Sequence, residues 1–259
     1  MNSSKRLVIE NLNKTFDVDG KMISILKDIN LEIKPGEFVS IVGTSGCGKT
    51  TLLRLVVGLD STYEGNILFN GERIDGPSLN RGIVFQDHRL LPWLKVLENV
   101  GFGLDPKINK KEQQKIIQEY IDLVGLKGFE KSYPYQLSGG MAQRAAIARS
   151  LVNCPELLAL DEPLGALDAM TRMYMQQELE KIWEKEKITM IMVTHDIEEA
   201  IYLSTKIVVM SSRPGCVKKI IPVPLARPRD RASYEFLKMK EELLEEFNLQ
   251  AEKYFSYTI

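Results

Sequence analysis

The sequence has few cysteines. Its three, Cys47, Cys154 and Cys216, are odd in number and far apart, and no two of them form a C-x-x-C pair. This usage is typical of reduced thiols in a cytosolic protein, packed as small apolar side chains. No disulfide framework is therefore expected.

The chain also lacks an excess of either charge and lacks any long apolar run. Lys and Arg number 34 against 35 Asp and Glu, a net charge of −1, so the basic excess of a general nucleic-acid binder is absent. The first residues, MNSSKRLVIENL, hold no apolar core of a secretion signal, and no later run approaches a membrane span. With 44% hydrophobic residues, the sequence predicts a soluble globular protein of one large or two small domains.

One glycine-rich stretch is present. GTSGCGKT, residues 43–50, fits the phosphate-loop pattern G-x-x-x-x-G-K-[ST] at every fixed position. An apolar run at 38–42 predicts a strand before it, and residues 51–55 predict a helix after it, which is the order that phosphate binding requires. The stretch therefore predicts a polyphosphate site. Its expected nucleotide contacts are Gly43, Thr44, Ser45, Gly46, Cys47, Gly48, Lys49, Thr50 and Thr51.

Apolar runs and helical periodicity place the remaining elements. The predicted strands are residues 7–9, 29–33, 65–69, 83–85, 157–160, 190–193 and 207–210, the last of which closes the sheet. The predicted helices are residues 110–124, 141–151, a long helix after Asp168 and a peripheral helix at 233–247. Asp19-Gly20 and Asn70-Gly71 predict tight turns. The order of elements favours an α/β fold with an antiparallel start.

A second anion-binding feature is predicted at Ser138, Gly139 and Gly140, within LSGGMAQRAAIARSL. Ser138 is typical of a helix N-cap. Two glycines at a helix start are unfavourable unless backbone N–H groups there approach a ligand closely, and an anion suits them. Because the phosphate loop already surrounds its own phosphates, this segment binds either a different ligand or the nucleotide of a second copy.

Polar residues follow three predicted strands. Asp161 and Glu162 end the run LLALDEP, where a phosphate-loop fold needs an acid for Mg²⁺. His195 ends another apolar run, at the strand edge where α/β sheets place ligands. Gln86 follows a third strand and precedes an apolar loop, residues 90–93. This loop predicts either a protein contact or packing within the chain, and the residues alone leave both open.

These motifs together resemble those of ABC transporter ATPase subunits. GTSGCGKT, the Gln86 loop, LSGGM, LLALDEP, Ala166-Leu167-Asp168 and Thr194-His195-Asp196 occur in the family's order across residues 5–225. FQDHRLLPWLKVLENV and LSGGMAQR are similar to subunits that energise nitrate, sulfonate and taurine importers. The resemblance implies an α/β P-loop NTPase (ABC ATPase) core with a mixed sheet, an N-terminal antiparallel β part and an inserted helical subdomain.

The resemblance also implies a catalytic arrangement. Two ATP molecules would lie in a head-to-tail dimer, each between one copy's phosphate loop and the Ser138-Gly139-Gly140 segment of the other. Glu162 would polarise the attacking water, and His195 would contact the γ-phosphate and sense its loss. The implied Mg²⁺ ligands, direct or through water, are Thr50, Gln86 and Asp161.

Two positions depart from the family pattern. Phe16 stands where the family usually stacks a Tyr on adenine, and it keeps the aromatic face while losing only the hydroxyl. From the residues alone, a lone aromatic such as Phe16 would normally be counted as a core residue, and they do not indicate stacking on a base. Met141 replaces the Gln that often ends the LSGGQ motif and leaves the Ser-Gly-Gly part intact.

The implied organisation is an ATPase domain at residues 1–225, with a helical subdomain at about 90–155, and a helical tail at 226–259. Its implied partners are a second copy, integral membrane permease subunits and, indirectly, a solute-binding protein. The 90–93 loop would lie near the groove that receives a helix of the permease. The expected location is the cytoplasmic face of the cell membrane, as a peripheral subunit. Other chains would select the solute.

A competing interpretation is a soluble ABC-type ATPase that acts on nucleic acid or ribosomes. Such proteins usually carry two phosphate loops in one chain, or a long insert between the loop and the LSGG segment, and this sequence has neither. A regulator without turnover is a third interpretation, which the presence of both Glu162 and His195 disfavours. The sequence therefore favours a transport ATPase that does not act on nucleic acid.

Overall fold

The computed structural model describes residues 6–165 and 167–256. Ala166, which the sequence analysis groups with Leu167 and Asp168, lies outside the described residues. The described chain divides into two compact units, the first drawn from Met1–Pro77 and Ile191–Ile259 and the second from Ser78–Met190. The predicted domain bounds, 1–225, 90–155 and 226–259, follow other criteria and remain predictions.

The elements alternate between strand and helix along most of the chain. The strands are β1 (Leu7–Val18), β2 (Lys21–Ile33), β3 (Phe38–Val42), β4 (Glu64–Phe69), β5 (Glu72–Arg73), β6 (Arg81–Val84), β7 (Leu157–Asp161), β8 (Thr189–Thr194), β9 (Lys206–Met210) and β10 (Val217–Pro222). The α-helices are α1 (Lys49–Val56), α2 (Val96–Gly101), α3 (Lys110–Leu123), α4 (Gly139–Leu151), α5 (Ala169–Glu186), α6 (Ile197–Leu203) and α7 (Tyr234–Ser256).

The first unit opens with an antiparallel sheet in the order β2-β1-β4-β5, which confirms the predicted antiparallel start. β1 and β2 are longer than the predicted strands, and the halves that flank the Asp19-Gly20 turn are mostly exposed. Asp19 and Gly20 both have positive φ angles, 53° and 78°. This is the backbone of a two-residue hairpin whose twist matches its strands.

The first unit also contains the strands that carry the phosphate loop. Their order is β10-β9-β3-β8, with β3 parallel to β9 and β10 antiparallel to it, so this sheet is mixed. The prediction that residues 207–210 close the sheet was wrong, because β10 lies outside β9. β10 was missed because its lysines interrupt the apolar pattern, as is usual for an edge strand.

The second unit contains the parallel pair β6 and β7, and helices α2 to α5. β6 ends at Val84, one residue before the predicted end, because its pairing with β7 stops at Leu160 and the Phe85 carbonyl accepts a hydrogen bond from Gln143 instead. α2, α3 and α4 pack on one another without a strand between residues 85 and 156. α4 begins at Gly139, two residues before its predicted start.

The predicted C-terminal helix is α7, which starts at Tyr234 and extends beyond the predicted end to Ser256. Phe236 and Leu243, about two helical turns apart on one face, are fully buried. α7 packs against α6. Within residues 6–165 and 167–256, no helix is both long enough and apolar enough to cross a membrane.

Candidate nucleotide-binding site

The phosphate loop connects β3 to α1 in the first unit. Gly46 and Gly48 have φ angles of 76° and 98°, which side-chain-bearing residues rarely adopt. A Cβ atom on Gly48 would lie 2.7 Å from Leu26 Cδ2, so the loop packs directly on β2. Glycine is therefore required at position 48 both by the backbone angle and by the space.

Lys49 is buried and folds back over this loop. Its Nζ donates hydrogen bonds to the Gly43 carbonyl at 2.9 Å and to the Thr44 carbonyl at 3.2 Å. α1 starts at Lys49, and its N-cap, Gly48, offers no side-chain cap to the first turn. A helix start without a side-chain cap, beside an ammonium group and left-handed glycines, is suited to an anion. The residues present therefore fit a polyphosphate.

A turn between β9 and β10 forms the outer wall of the loop. A Cβ atom on Gly215 would lie only 2.0 Å from the Cys47 carbonyl oxygen, and Arg213 Nε donates to the Gly46 carbonyl at 3.0 Å. Gly215 also bonds to β2, through Ile25 and Lys27. This turn was not predicted as part of the site, because the residues Arg213-Pro214-Gly215 indicate a turn but not the loop against which it packs.

The Cys47 side chain lies inside the phosphate loop and is buried. Burial raises the pKa of its thiol, and the nearby Lys49 ammonium opposes that rise only in part. The thiol is therefore protonated at neutral pH and acts as a small packing group. This confirms the packing role predicted from the sequence for Cys47, but that prediction was wrong for Cys154, which is exposed, and Cys216 is only half-buried.

Phe16 lies on β1, opposite Ile23 of β2 in the hairpin on which the phosphate loop packs. Its side chain is 39% exposed, so it is not a core residue. Lys14 Nζ lies 4.6 Å from the Phe16 ring centroid and pairs with Asp60 at 2.8 Å. The ring therefore presents an accessible aromatic face with one cation fixed beside it.

His195 directly follows β8, which lies beside β3 in the sheet, and its side chain is exposed. Its neighbours are tied to the start of α6. Thr194 Oγ1 donates to the Glu199 carboxylate and accepts from the Asp196 N–H at 3.0 Å, while Asp196 Oδ1 accepts from the Glu199 N–H at 3.0 Å. The backbone on both sides of His195 is therefore fixed by α6.

In the second unit, Ser138 is the N-cap of α4, as predicted, and its Oγ accepts from the Met141 N–H at 3.3 Å. The next two glycines differ. A Cβ atom on Gly139 would meet no atom within 4 Å, whereas one on Gly140 would lie 2.8 Å from Thr171 Cγ2. Gly140 is thus required by packing against α5, and Gly139 lies in open space at an exposed helix start.

The paired acids lie at the end of β7. Asp161 is its last residue and is nearly buried. Glu162 follows with a φ angle of 45°, a left-handed conformation that is uncommon for a residue other than glycine. Within the described residues, no group of three or more His, Cys, Asp or Glu side chains could hold a metal ion. A Mg²⁺ site that uses Asp161 would draw on hydroxyl, amide and phosphate oxygens, the hard donors that Mg²⁺ prefers.

Gln86 is exposed after the end of β6. The segment that follows it is held by α4, since Arg149 donates to the His88 and Arg89 carbonyls at 3.0 and 2.8 Å. Burial lowers the pKa of the Arg149 guanidinium, but an arginine remains charged at neutral pH.

The apolar 90–93 loop contains one residue that packs within the chain and one that is available for contact with another protein. Leu90 is buried in the second unit, whereas Trp93 is 69% exposed. Asn99 fixes the loop through its side chain, which accepts from the Leu91 N–H at 2.8 Å and donates to the Leu91 and Leu94 carbonyls. A rigid loop therefore presents the Trp93 ring to solvent.

Comparison with known proteins places this geometry in a family. The family described as ABC transporter matches residues 26–165. An uncharacterized ABC transporter ATP-binding protein of Methanocaldococcus jannaschii is 52% identical, over 92% of this chain and 90% of its own length. An aliphatic sulfonates import ATP-binding protein of Bacillus cereus is 48% identical over 92% and 94%. A nitrate import ATP-binding protein of Synechocystis is 44% identical over 91% and 89%.

The fold matches as well. A solved dimeric ATP-binding cassette in a post-hydrolysis state, bound to ADP and Pi, has a TM-score of 0.75 and 34% identity, over 85% of this chain and 100% of its own. The α/β fold with its mixed sheet and antiparallel N-terminal sheet is that of the ABC ATPase cassettes. This chain therefore belongs to the ABC transporter family, as one of its subunits that bind and hydrolyse ATP.

Proposed function

We propose that this chain powers the import of a small solute of the nitrate, sulfonate or taurine type through separate membrane permease subunits, as a peripheral subunit on the cytoplasmic face of the membrane. The names of the sulfonate and nitrate import relatives support the solute class. The permease and an external solute-binding protein would select the solute. These relatives and the balanced charge of the chain lend no support to the nucleic-acid alternative.

The shape of the phosphate loop is the observation that carries the proposal. Residues 43–51 would bind the phosphates of ATP through their N–H groups, and Lys49 would exchange its two loop carbonyls for the β- and γ-phosphates. Such an exchange needs only side-chain rotation. The exposed ring of Phe16, on the same hairpin that supports the loop, would stack on adenine.

The ligand of the Ser138-Gly139-Gly140 segment would be the nucleotide held by a second copy. The open space at Gly139 and the helix start at Ser138 fit the approach of a phosphate from outside the chain. The dimeric form of the related cassette supports this arrangement. Each dimer would then contain two composite sites, related head to tail.

Catalysis in this site would be electrostatic rather than covalent. Bound Mg²⁺ would neutralise phosphate charge, with Thr50 and Asp161 as ligands and Gln86 acting directly or through water. Glu162 would orient and polarise the attacking water, and its left-handed backbone supports a special role, because such strain persists mainly where function requires it. His195 would donate to the γ-phosphate and sense its loss.

Trp93 and its loop would form part of the surface that receives a helix of the permease. The loop is held rigid by Asn99, and it presents a large apolar ring to solvent. An exposed aromatic on a fixed backbone loses little entropy when it is covered, which is the usual property of an interface anchor.

Exchange of Glu162 for Gln tests this function. Glu162→Gln keeps the shape of the side chain but removes its negative charge, so we expect ATP binding to be unchanged and the hydrolysis rate to fall roughly 10²–10⁴-fold. Glu72→Gln, at an exposed strand position, is the matched control and should hydrolyse ATP at the wild-type rate. Wild-type turnover in Glu162→Gln would show that the assigned base is wrong.

A further inference from the structure

Arg229, in the segment after β10, is a buried arginine that joins two parts of the first unit. Its side chain is only 7% exposed. Its guanidinium donates to backbone carbonyls at the end of α6 and to others in its own segment. These acceptors are Ile201, Tyr202 and Ser204 on one side, and Val223 and Leu225 on the other. Only arginine has donors spread widely enough to serve both sides at once.

Two further arginines converge on the same helix end. Arg227 donates to the Leu203 carbonyl at 2.5 Å and to the Tyr202 carbonyl at 3.5 Å. The Arg231 guanidinium lies 3.9 Å from the centroid of the Tyr202 ring. The last carbonyls of a helix carry partial negative charge, so cations stabilise this end. We call Arg227, Arg229 and Arg231 the arginine clasp.

The other end of α6 adjoins His195. α6 is only seven residues long, from Ile197 to Leu203, and its first turn holds the backbone on both sides of His195 through the hydrogen bonds of Thr194, Asp196 and Glu199. Because α6 is so short, we expect a shift at its clasped end to displace the backbone around His195 as well.

α7 also contacts α6. Lys240 pairs with Glu198, in the first turn of α6, at 2.5 Å, while the buried Phe236 and Leu243 pack α7 in place. The whole segment after β10 is thus organised around α6. Its role was not apparent from the sequence, because arginines in a Pro-rich stretch are typical of an exposed loop.

We propose that Arg229, with the rest of the arginine clasp, is a positioning residue for His195. The clasp fixes α6, and α6 fixes the direction from which the imidazole approaches the γ-phosphate. This inference rests on the proposed role of His195. Misplacement of a group that contacts the reacting phosphate by about 1 Å costs up to roughly 100-fold in rate, so loss of the clasp lowers kcat while leaving ATP binding by the phosphate loop intact.

The test is a double-mutant cycle in the purified full-length protein. Arg229→Met should lower kcat at least 10-fold with ATP affinity unchanged, whereas Arg6→Met, a surface arginine paired with Glu32, should have no effect. In a His195→Ala background, Arg229→Met should cause no further loss, because the residue through which it acts is gone. Equal losses in both backgrounds, or an unchanged kcat in Arg229→Met, would overturn the inference.

NMR of the histidine rings gives a second readout, since the chain has only two histidines, His88 and His195. The His195 imidazole resonances should shift in Arg229→Met and the His88 resonances should not. If Arg229→Met fails to fold, Arg227→Met takes its place in the test, because Arg227 is a less buried member of the clasp. Arg227→Met should show the same selective shift of the His195 resonances. Unshifted His195 resonances in a folded variant would contradict positioning. Wild-type turnover in His195→Ala would instead remove the proposed role of His195, and the inference with it.

Discussion

The α-carbon of Gly215 lies against the Cys47 carbonyl so closely that a Cβ atom would stand 2.0 Å from that oxygen. The turn between β9 and β10 therefore supports the phosphate loop from outside, at the loop's middle. Because Gly215 is also bonded to β2, the loop is held between the hairpin that carries Phe16 and this turn.

Gly215→Ala should weaken ATP binding. The added methyl must displace the backbone of the phosphate loop, since the clashing atom is a carbonyl oxygen and not a flexible side chain. We expect ATP affinity to fall roughly 5- to 150-fold, corresponding to a strain of about 1–3 kcal/mol. Titration with a fluorescent ATP analogue measures this affinity in each variant. Gly76→Ala is the control, because a Cβ atom at Gly76 meets open space. Equal ATP affinity in the two variants would contradict a supporting role of the β9–β10 turn.

Alanine substitutions at the two glycines of α4 should have different effects, one on packing and the other on contact with the nucleotide. Gly140→Ala forces its methyl against Thr171, so its melting temperature should fall by several degrees. Gly139→Ala meets no neighbour and favours the helix, so it should melt at or slightly above the wild-type temperature. It should nevertheless lose ATPase activity, because the methyl group obstructs the nucleotide of the second copy. Calorimetry and phosphate release measure the two effects. Full activity in Gly139→Ala would argue against that contact.

Asp60 should contribute acid-sensitive stability. Although burial alone would raise the pKa of Asp60, the hydrogen bonds from Lys14 and Thr62 hold it below its ordinary value. A lowered folded-state pKa gives stability that is present above the ordinary carboxyl value of about 3.9 and is lost as the pH falls through the folded value.

Asp60→Asn should accordingly lower the unfolding free energy at pH 7 by about 1–3 kcal/mol, because Lys14 is buried and loses its anionic partner. The gap between wild type and variant should close as the pH falls below about 4. Urea denaturation across this range measures both. Asp75→Asn, which removes an exposed partner of Arg73, should leave the unfolding free energy nearly unchanged. A stability gap between wild type and Asp60→Asn that widens in acid would contradict a lowered pKa of Asp60.

Much of this arrangement could be predicted from local sequence. The strand, loop and helix around residues 38–55, the cap at Ser138 and the strand that ends at Asp161 follow from motifs whose physical causes lie within a few residues. β10 and the extent of α7 could not, because an edge strand with lysines and a half-exposed helix carry mixed polarity.

The supporting contacts were the least predictable part. Gly215 packs on Cys47 from 168 positions away in the chain. Three of the carbonyls that Arg229 contacts lie at the end of α6, more than 20 residues before it. Such contacts are fixed by the packing of whole elements, which local periodicity does not encode. The motifs of the candidate site were therefore visible in the sequence, while the groups that hold them in place were visible only in the fold.

A mixing experiment tests the shared site most directly. Lys49→Ala removes the phosphate contact of one composite site, and Gly139→Asp places a negative charge where the other copy's phosphates would approach, in open space that accepts the side chain. Each variant alone should be inactive. An equimolar mixture should regain roughly a quarter of wild-type activity, because half of the randomly formed dimers have one intact site of two. A mixture as inactive as its components would place each active site within a single chain and contradict the account.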